Sequence, residues 1–365
     1  MKKVLFLVVA VVALLFTSCK KEFVITVQSN NESWGSVIGS GTYAKGTVIS
    51  IGAIAKSGYR FVSWQDGNTE NPRSVTVQSD AIYIATFTSD GEEPTNMGGI
   101  SVSATQKVYF SPGNLQWSAT NGGSTSTTHV VADGTAEGTW RFAPNQWDTI
   151  GAGNSNISST YTGWIDLFGW GTSGYDNKYP YMISEDSENY GNGLNNIAGT
   201  NYDWGVYNAI YNPKTNTTDA YGTWRTLTED EWNYLLYARP TSSNIRFARA
   251  IVCGIEGLII VSDSCPSINY PLYNVNNSFA EYTSNIIGAT DWAKMETVGC
   301  VFLPAAGYRI GTWLYDVGSC GEYWSTTYNC SDFAYYLYFD SGGLNLSCYH
   351  YRDDGRSVRL VRSAE

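Results

Sequence analysis

The sequence has little histidine, and this shortage limits the chemistry that the protein can perform. Its 365 residues include two histidines, His129 and His350, which lie far apart in polar, loop-like stretches. We expect both on the surface. No HExxH motif is present, so an iron or zinc site is not expected. No nucleophile-elbow motif suggests a serine–histidine–aspartate triad either. The sequence therefore predicts no catalytic residues, no metal and no cofactor.

Positive charge is also scarce, which bears on the partners of the protein. No cluster of Lys or Arg follows residue 21, and the net charge is -11. A phosphate backbone would be repelled, so no nucleic acid partner is expected. By contrast, the chain has 13 Trp, 27 Tyr and 37 Gly. These residues favour short strands, tight turns and ordered loops, and they predict a mainly β fold with some α+β character.

The apolar run near the N-terminus is short. Val4 to Phe16 comprises 13 residues, fewer than a membrane-spanning helix needs. Two lysines precede the run, and two small residues lead from it to Cys19. This order predicts a lipoprotein signal peptide over residues 1–19, with lipid on the Cys19 thiol; an ordinary cleaved signal is the alternative. Acyl chains would tether the protein to a membrane. We expect an exported outer-membrane lipoprotein that is exposed at the cell surface.

Export also bears on the remaining cysteines. An oxidising compartment permits disulfides, and six cysteines allow many pairings; buried free thiols are the alternative. The six are Cys253, Cys265, Cys300, Cys320, Cys330 and Cys348.

Residues 23–87 are predicted to form a small β domain. The segments FVITVQS, TVISIGAIA and SVTVQSDAIYIATF alternate apolar and polar residues. The stretch GYRFVSWQDGNTENPRSVTVQSDAIYIATF resembles the divergent internalin-type B repeats of bacterial surface proteins. That resemblance implies a spacer with Tyr59, Phe61 and Trp64 in its core. Residues 88–99 are polar, contain Gly and Pro, and are predicted to be a linker.

Residues 100–365 are predicted to form the main domain, with one or two helices and many loops. The segment WRTLTEDEWNYLLYARP offers Thr228 as N-cap, Glu231 three residues later and Pro240 as terminator. A shorter helix is predicted within 203–211.

Five motifs occur in order along this region: WRFAPNQWDTIG, GWIDLFGWGTSG, TWRTLTEDEWNYLL, FLPAAGYR and GEYWSTTYNCSDFAYYLYF. Together they resemble a group of Bacteroides-type exported domains with the C-type lectin fold, in the branch of the formylglycine-generating enzymes. The motif of those enzymes is absent. The resemblance implies that the final strands carry a ligand surface.

Residues 329–355 contain no Lys, Glu, Gln, Met or Trp. A diversity-generating retroelement randomises Asn codons at their adenines, and its products exclude these five residue types. In the variable proteins of such retroelements, the variable residues lie at the end of a C-type lectin fold. This segment likewise lies at the end of a domain that resembles that fold. The competing explanation is a Tyr- and Ser-rich hairpin in an ordinary lectin-like domain.

The two-residue repeat of a strand sorts this segment into two sets. Tyr335, Leu337 and Phe339 are predicted to face the core. The opposite set and the following loop are predicted to bind a ligand, because Tyr, Ser, Asn and Asp together resemble an antibody paratope. The predicted ligand-binding residues are Tyr328, Asn329, Asp332, Tyr336, Tyr338, Asp340, Asn345, Ser347, Tyr349, His350, Tyr351, Asp353 and Asp354.

Two kinds of ligand are compatible with these patterns. A protein ligand at the cell exterior is favoured, because the ligand motif of calcium-dependent lectins is missing. The alternative is a carbohydrate-binding or carbohydrate-active domain that presents exposed tryptophans to a glycan. The tryptophans considered for that role are Trp164, Trp170, Trp313 and Trp324.

Overall fold

A computed structural model describes residues 21–56, 59–89, 99–119, 138–265 and 271–364. Strands account for 41% of it and helices for 12%, which confirms the predicted mainly β class. The chain divides into two compact units, Met1–Phe87 and Thr88–Glu365. Cys19 and His129 lie outside the described residues, so the expectations about them stay predictions.

The described residues of the first unit form the strands β1 (Glu22–Ser29), β2 (Gly35–Ile38), β3 (Gly41–Ala44), β4 (Val48–Ala55), β5 (Tyr59–Trp64), β6 (Arg73–Thr76) and β7 (Ala81–Ser89). These strands form two small sheets, with the orders β3-β1-β7-β5 and β2-β4-β6. Strand β7 thus runs two residues into the predicted linker. Residues 90–98 of that linker lie outside the described part.

Alternating side chains of these strands meet in one apolar core. Trp64 is completely buried, and its indole Nε1 donates to the Glu70 carbonyl at 2.8 Å. Phe61 packs against Trp64 with ring centroids 5.4 Å apart. Tyr59 differs from the prediction: it is half-buried and stacks on Trp34, because its side chain lies at the margin of the core.

The described residues of the second unit contain seventeen further strands. They are β8 (Ile100–Ser101), β9 (Lys107–Phe110), β10 (Leu115–Ser118), β11 (Thr139–Phe142), β12 (Ile210–Asn212), β13 (Thr217–Asp219), β14 (Arg225–Thr226), β15 (Phe247–Val252), β16 (Ile255–Ile260), β17 (Ile286–Ile287), β18 (Val301–Pro304), β19 (Tyr308–Ile310), β20 (Trp313–Tyr315), β21 (Gly321–Cys330), β22 (Phe333–Asp340), β23 (Gly343–Tyr351) and β24 (Leu360–Ser363).

These strands form five small sheets. Their orders are β10-β11-β12-β13, β14-β24-β9-β8, β17-β15-β16-β18, β19-β20 and β21-β22-β23. Strand β24, near the end of the chain, pairs antiparallel with β9, near the start of the unit. This pairing brings the two ends of the unit together.

The described helices are short. The α-helices are α1 (Trp204–Tyr207), α2 (Glu229–Asn233) and α3 (Ala289–Thr297), with a π-helical turn over Tyr234–Ala238. The 3-10 helices are Gly151–Asn156, Tyr175–Asn177, Ser187–Asn189 and Tyr282–Ser284. Thr228 and Glu231 form the predicted capping box at the start of α2. Helix α1 falls within the predicted range 203–211, whereas α3 was not anticipated. No helix in the described part of the chain is long and apolar enough to cross a membrane.

Candidate ligand-binding surface

The predicted site residues lie mainly on the sheet β21-β22-β23. Strand β22 is central, and it pairs antiparallel with both neighbours. The β21–β22 register shifts after the Trp324–Tyr336 pair, and the β22–β23 register shifts between Tyr336 and Tyr338. Bulges of this kind place an extra residue on one strand and redirect the side chains that follow. One uninterrupted alternation therefore does not describe all three strands.

Helix α2 covers part of one face of this sheet. Leu337 and Phe339 are fully buried there, in the cluster that contains Trp232 of the helix, so the prediction for these two residues is confirmed. The first residue of the helix, Glu229, accepts a hydrogen bond at 2.9 Å from the Ser347 hydroxyl of β23. Ser347 therefore marks the place on β23 that the start of the helix reaches.

Further along the two strands, the same face carries four aromatic rings. We call Phe333, Tyr335, Tyr349 and Tyr351 the aromatic face. Phe333 pairs directly with Tyr351, and Tyr335 with Tyr349, so all four side chains project to one side. Their ring centroids are 4.8 Å apart for Phe333–Tyr351 and 5.9 Å apart for Tyr335–Tyr349. Tyr349 is 53% exposed and Tyr351 46%, which leaves a large aromatic area open to a partner.

Two predictions of direction are wrong on this sheet. Tyr336, predicted to face solvent, is only 7% exposed. The reason is that the second face of β22 is covered as well: Tyr336 packs edge-on against Trp324, in a cluster with Val358. Burial raises the pKa of the Tyr336 hydroxyl. Tyr335, predicted to lie in the core, is half-buried on the aromatic face.

A buried ion cluster centred on Arg356 lies against the face of the sheet opposite the aromatic face. Arg356 Nε lies 2.5 Å from Glu322 Oε2 on β21, and its Nη2 lies 3.1 Å from Asp354 Oδ2. The guanidinium also stands over the rings of Trp324 and Tyr336, at 4.5 and 4.2 Å from their centroids. Burial alone would lower the pKa of Arg356, but the two carboxylates outweigh burial and raise it.

Asp353 and Asp354 are part of this buried region and not of the exposed surface for which they were predicted. Both are buried. Asp353 accepts a hydrogen bond from the Ser187 hydroxyl. Asp354 joins Arg356 to the exposed His350, whose Nδ1 lies 2.5 Å from Asp354 Oδ2. The two carboxylates are therefore used for contacts inside the protein, because a buried charge needs hydrogen-bond or ion-pair partners close to it.

Asp340 also has a structural contact. Its Oδ1 accepts hydrogen bonds from the backbone N–H groups of Gly342 and Gly343 at 2.8 Å, which fixes the turn between β22 and β23. Its Oδ2 accepts from the Tyr338 hydroxyl at 2.7 Å.

The predicted site residues fall into three groups by exposure. Three are buried: Tyr336, Asp353 and Asp354. Five are half-buried: Tyr328, Asn329, Asp332, Tyr338 and Asp340. Five are exposed: Asn345, Ser347, Tyr349, His350 and Tyr351. The exposed residues all lie on β23, so the structure brings the open part of the site onto one strand beside the unanticipated Phe333.

The four tryptophans considered for carbohydrate binding differ in the exposure of their side chains. Trp170 and Trp324 are fully buried, and they donate hydrogen bonds to backbone carbonyls. Trp164 is half-buried with the Arg141 guanidinium 3.7 Å from its ring centroid. Trp313, on the β19–β20 hairpin, is 74% exposed. Only this last residue offers an open ring among the four.

Within the described residues, no group of three or more His, Cys, Asp or Glu side chains could hold a metal ion.

The comparisons with known proteins identify one part of the chain. A family model described as "Divergent InlB B-repeat domain" matches residues 25–91. The predicted β repeat is thereby confirmed. No curated protein and no solved structure matches the chain.

The contrast between buried and exposed tyrosines can be tested by substitution. Changing Tyr349 and Tyr351 together to Ser should lower the free energy of unfolding by only about 1 kcal/mol, because both side chains are largely exposed. Tyr336→Ser empties a packed site between Trp324 and Arg356 and should cost roughly 3 kcal/mol or more. Urea unfolding measures both changes. A double variant as unstable as Tyr336→Ser would show that the aromatic face is part of the core.

Proposed function

We propose that this protein is a surface-tethered, non-enzymatic binding protein whose ligand docks on the aromatic face and the exposed residues of β23. The observation that carries the proposal is the uncovered part of the sheet. Four aromatic rings lie side by side there, while the neighbouring Leu337 and Phe339 are buried under α2. Exposed aromatic clusters of this kind are typical of interaction sites.

The composition of the surface favours a protein ligand. Tyr349 and Tyr351 offer large contact areas with few rotatable bonds, and Asn345, Ser347 and His350 of the same edge strand offer hydrogen bonds. Strand β23 is also the edge of its sheet, so a partner strand could align with its outer side. Both features suit a folded or extended polypeptide better than a small solute.

The restricted alphabet of residues 329–355 supports a variable surface on a constant frame. All five exposed residues of β23 are residue types that a randomised Asn codon can encode. We propose that a retroelement diversifies these positions on a C-type-lectin-fold domain. The pairing of β24 with β9, which joins the ends of the unit, is compatible with that fold.

A carbohydrate ligand is the second candidate, and the exposure of Trp313 favours it. An open indole ring can stack on a sugar, and Tyr308 and Tyr315 stack on each other beside it with centroids 5.2 Å apart. The two candidates use different surfaces, so variants can separate them.

Binding to arrays of bacterial surface proteins and of glycans tests the proposal. We expect the protein to bind a protein target, and the Tyr349→Ser, Tyr351→Ser double variant to lose at least about tenfold in affinity, because central aromatic contacts dominate interfaces. Trp313→Ala is the matched control, since it also removes one exposed aromatic surface; its affinity should be unchanged. Glycan binding that depends on Trp313, with no effect of the tyrosines, would contradict the proposal and favour the alternative.

The membrane tether is tested separately. Cys19→Ser should abolish labelling of the protein by a metabolically supplied fatty acid, because the thiol is the predicted acceptor. The unfolding midpoint of the folded units should be unchanged. Normal labelling of the variant would exclude Cys19 as the lipidation site.

A further inference from the structure

The second unit contains a pair of buried cysteines whose sulfur atoms are in contact. Cys265 is 3% exposed and Cys300 1%, and their Sγ atoms lie 3.8 Å apart. Both belong to the cluster that also contains Trp292 and Phe302. We propose that these two cysteines form a disulfide when the chain folds in an oxidising environment, and that the disulfide clamps the segment after β16 to the start of β18.

The surrounding backbone holds the two thiols together. Strand β16 pairs antiparallel with β18, with Ile260 opposite Val301. Cys300 directly precedes β18, and Cys265 follows β16 after a turn closed by its own N–H. The Ser262 hydroxyl donates to the Val298 carbonyl at 2.5 Å, which adds a second link beside the pair. The approach of the thiols thus follows from the sheet and does not depend on the two side chains alone.

The geometry requires only a small adjustment. A disulfide bond is about 2.0 Å long, so each sulfur would move by about 0.9 Å from the 3.8 Å contact. Rotation of two side chains can supply that movement without a change in the sheet.

The disulfide forms by two successive thiol exchanges, and the contact places the two sulfur atoms together for the second. With oxidised glutathione as oxidant, one cysteine thiolate of the pair attacks a sulfur of the glutathione disulfide and releases a first glutathione thiolate. The other cysteine, once deprotonated, then attacks the mixed disulfide and displaces the second glutathione thiolate. Two protein thiols lose two protons and two electrons, and one glutathione disulfide becomes two glutathione molecules.

The bond would stabilise the unit because it closes a loop of the chain between the two cysteines. Such a cross-link limits the unfolded chain more than the folded one. This inference is independent of the ligand-binding proposal, although the export that we propose would supply the oxidising environment.

Refolding and peptide mapping test the disulfide. The full chain is refolded in a mixture of reduced and oxidised glutathione, its free thiols are alkylated after unfolding in denaturant, and its peptides are analysed without reduction. We expect the peptides of Cys265 and Cys300 joined, at a mass two hydrogens below their sum. Cys320, which is equally buried but lies beside Glu322, should be alkylated. Alkylated Cys265 and Cys300, or a bond from either to another cysteine, would overturn the proposal.

A thermal melt tests the stabilising role. Reduction of the oxidised protein should lower the unfolding midpoint by roughly 5 to 10 °C. The Cys265→Ala, Cys300→Ala double variant should show no response to the reductant, whereas Cys320→Ala should respond as the parent protein does. A joined pair whose reduction leaves the midpoint unchanged would overturn the clamping role, and the peptide map does not depend on whether any variant folds.

Discussion

The buried guanidinium of Arg356 is the contact on which the proposed binding surface depends. It pairs with Glu322 of β21 and with Asp354 of the loop after β23, and it stands over the rings of Trp324 and Tyr336. A buried charge is tolerated only when it is paired, and removal of one partner typically costs about 3–5 kcal/mol. Arg356 therefore fixes two strands and the loop in one arrangement.

Strand β22 is covered on both faces, and this separates the buried part of its sheet from the exposed part. Helix α2 buries Leu337 and Phe339 on one face of β22, while Trp324 and its neighbours bury Tyr336 on the other. The aromatic face begins beyond Ser347, where the start of α2 reaches β23. Its rings contact one another across the two strands.

Sequence reasoning identified the parts that depend on local patterns. The β repeat, helix α2 with its cap and the core positions Leu337 and Phe339 follow from alternation, helix-capping residues and apolar spacing. The exposure of Tyr336 was predicted wrongly because β22 is covered on both faces, whereas the prediction assumed one covered face. The exposure of Asp354 was predicted wrongly because the sequence pattern does not show its buried partner Arg356. The pairing of Phe333 with Tyr351 depends on the register shift between Tyr336 and Tyr338, and no local pattern reports such a shift.

The most direct test of this division is saturation mutagenesis of residues 321–356, with the variants sorted for folded, protease-resistant protein. We predict that Asn345, Ser347, Tyr349 and Tyr351 accept most substitutions. We also predict that Trp324, Tyr336, Leu337, Phe339 and Arg356 accept few. If the exposed residues of β23 prove as intolerant as the Arg356 cluster, the separation of a constant frame from a variable binding surface is contradicted.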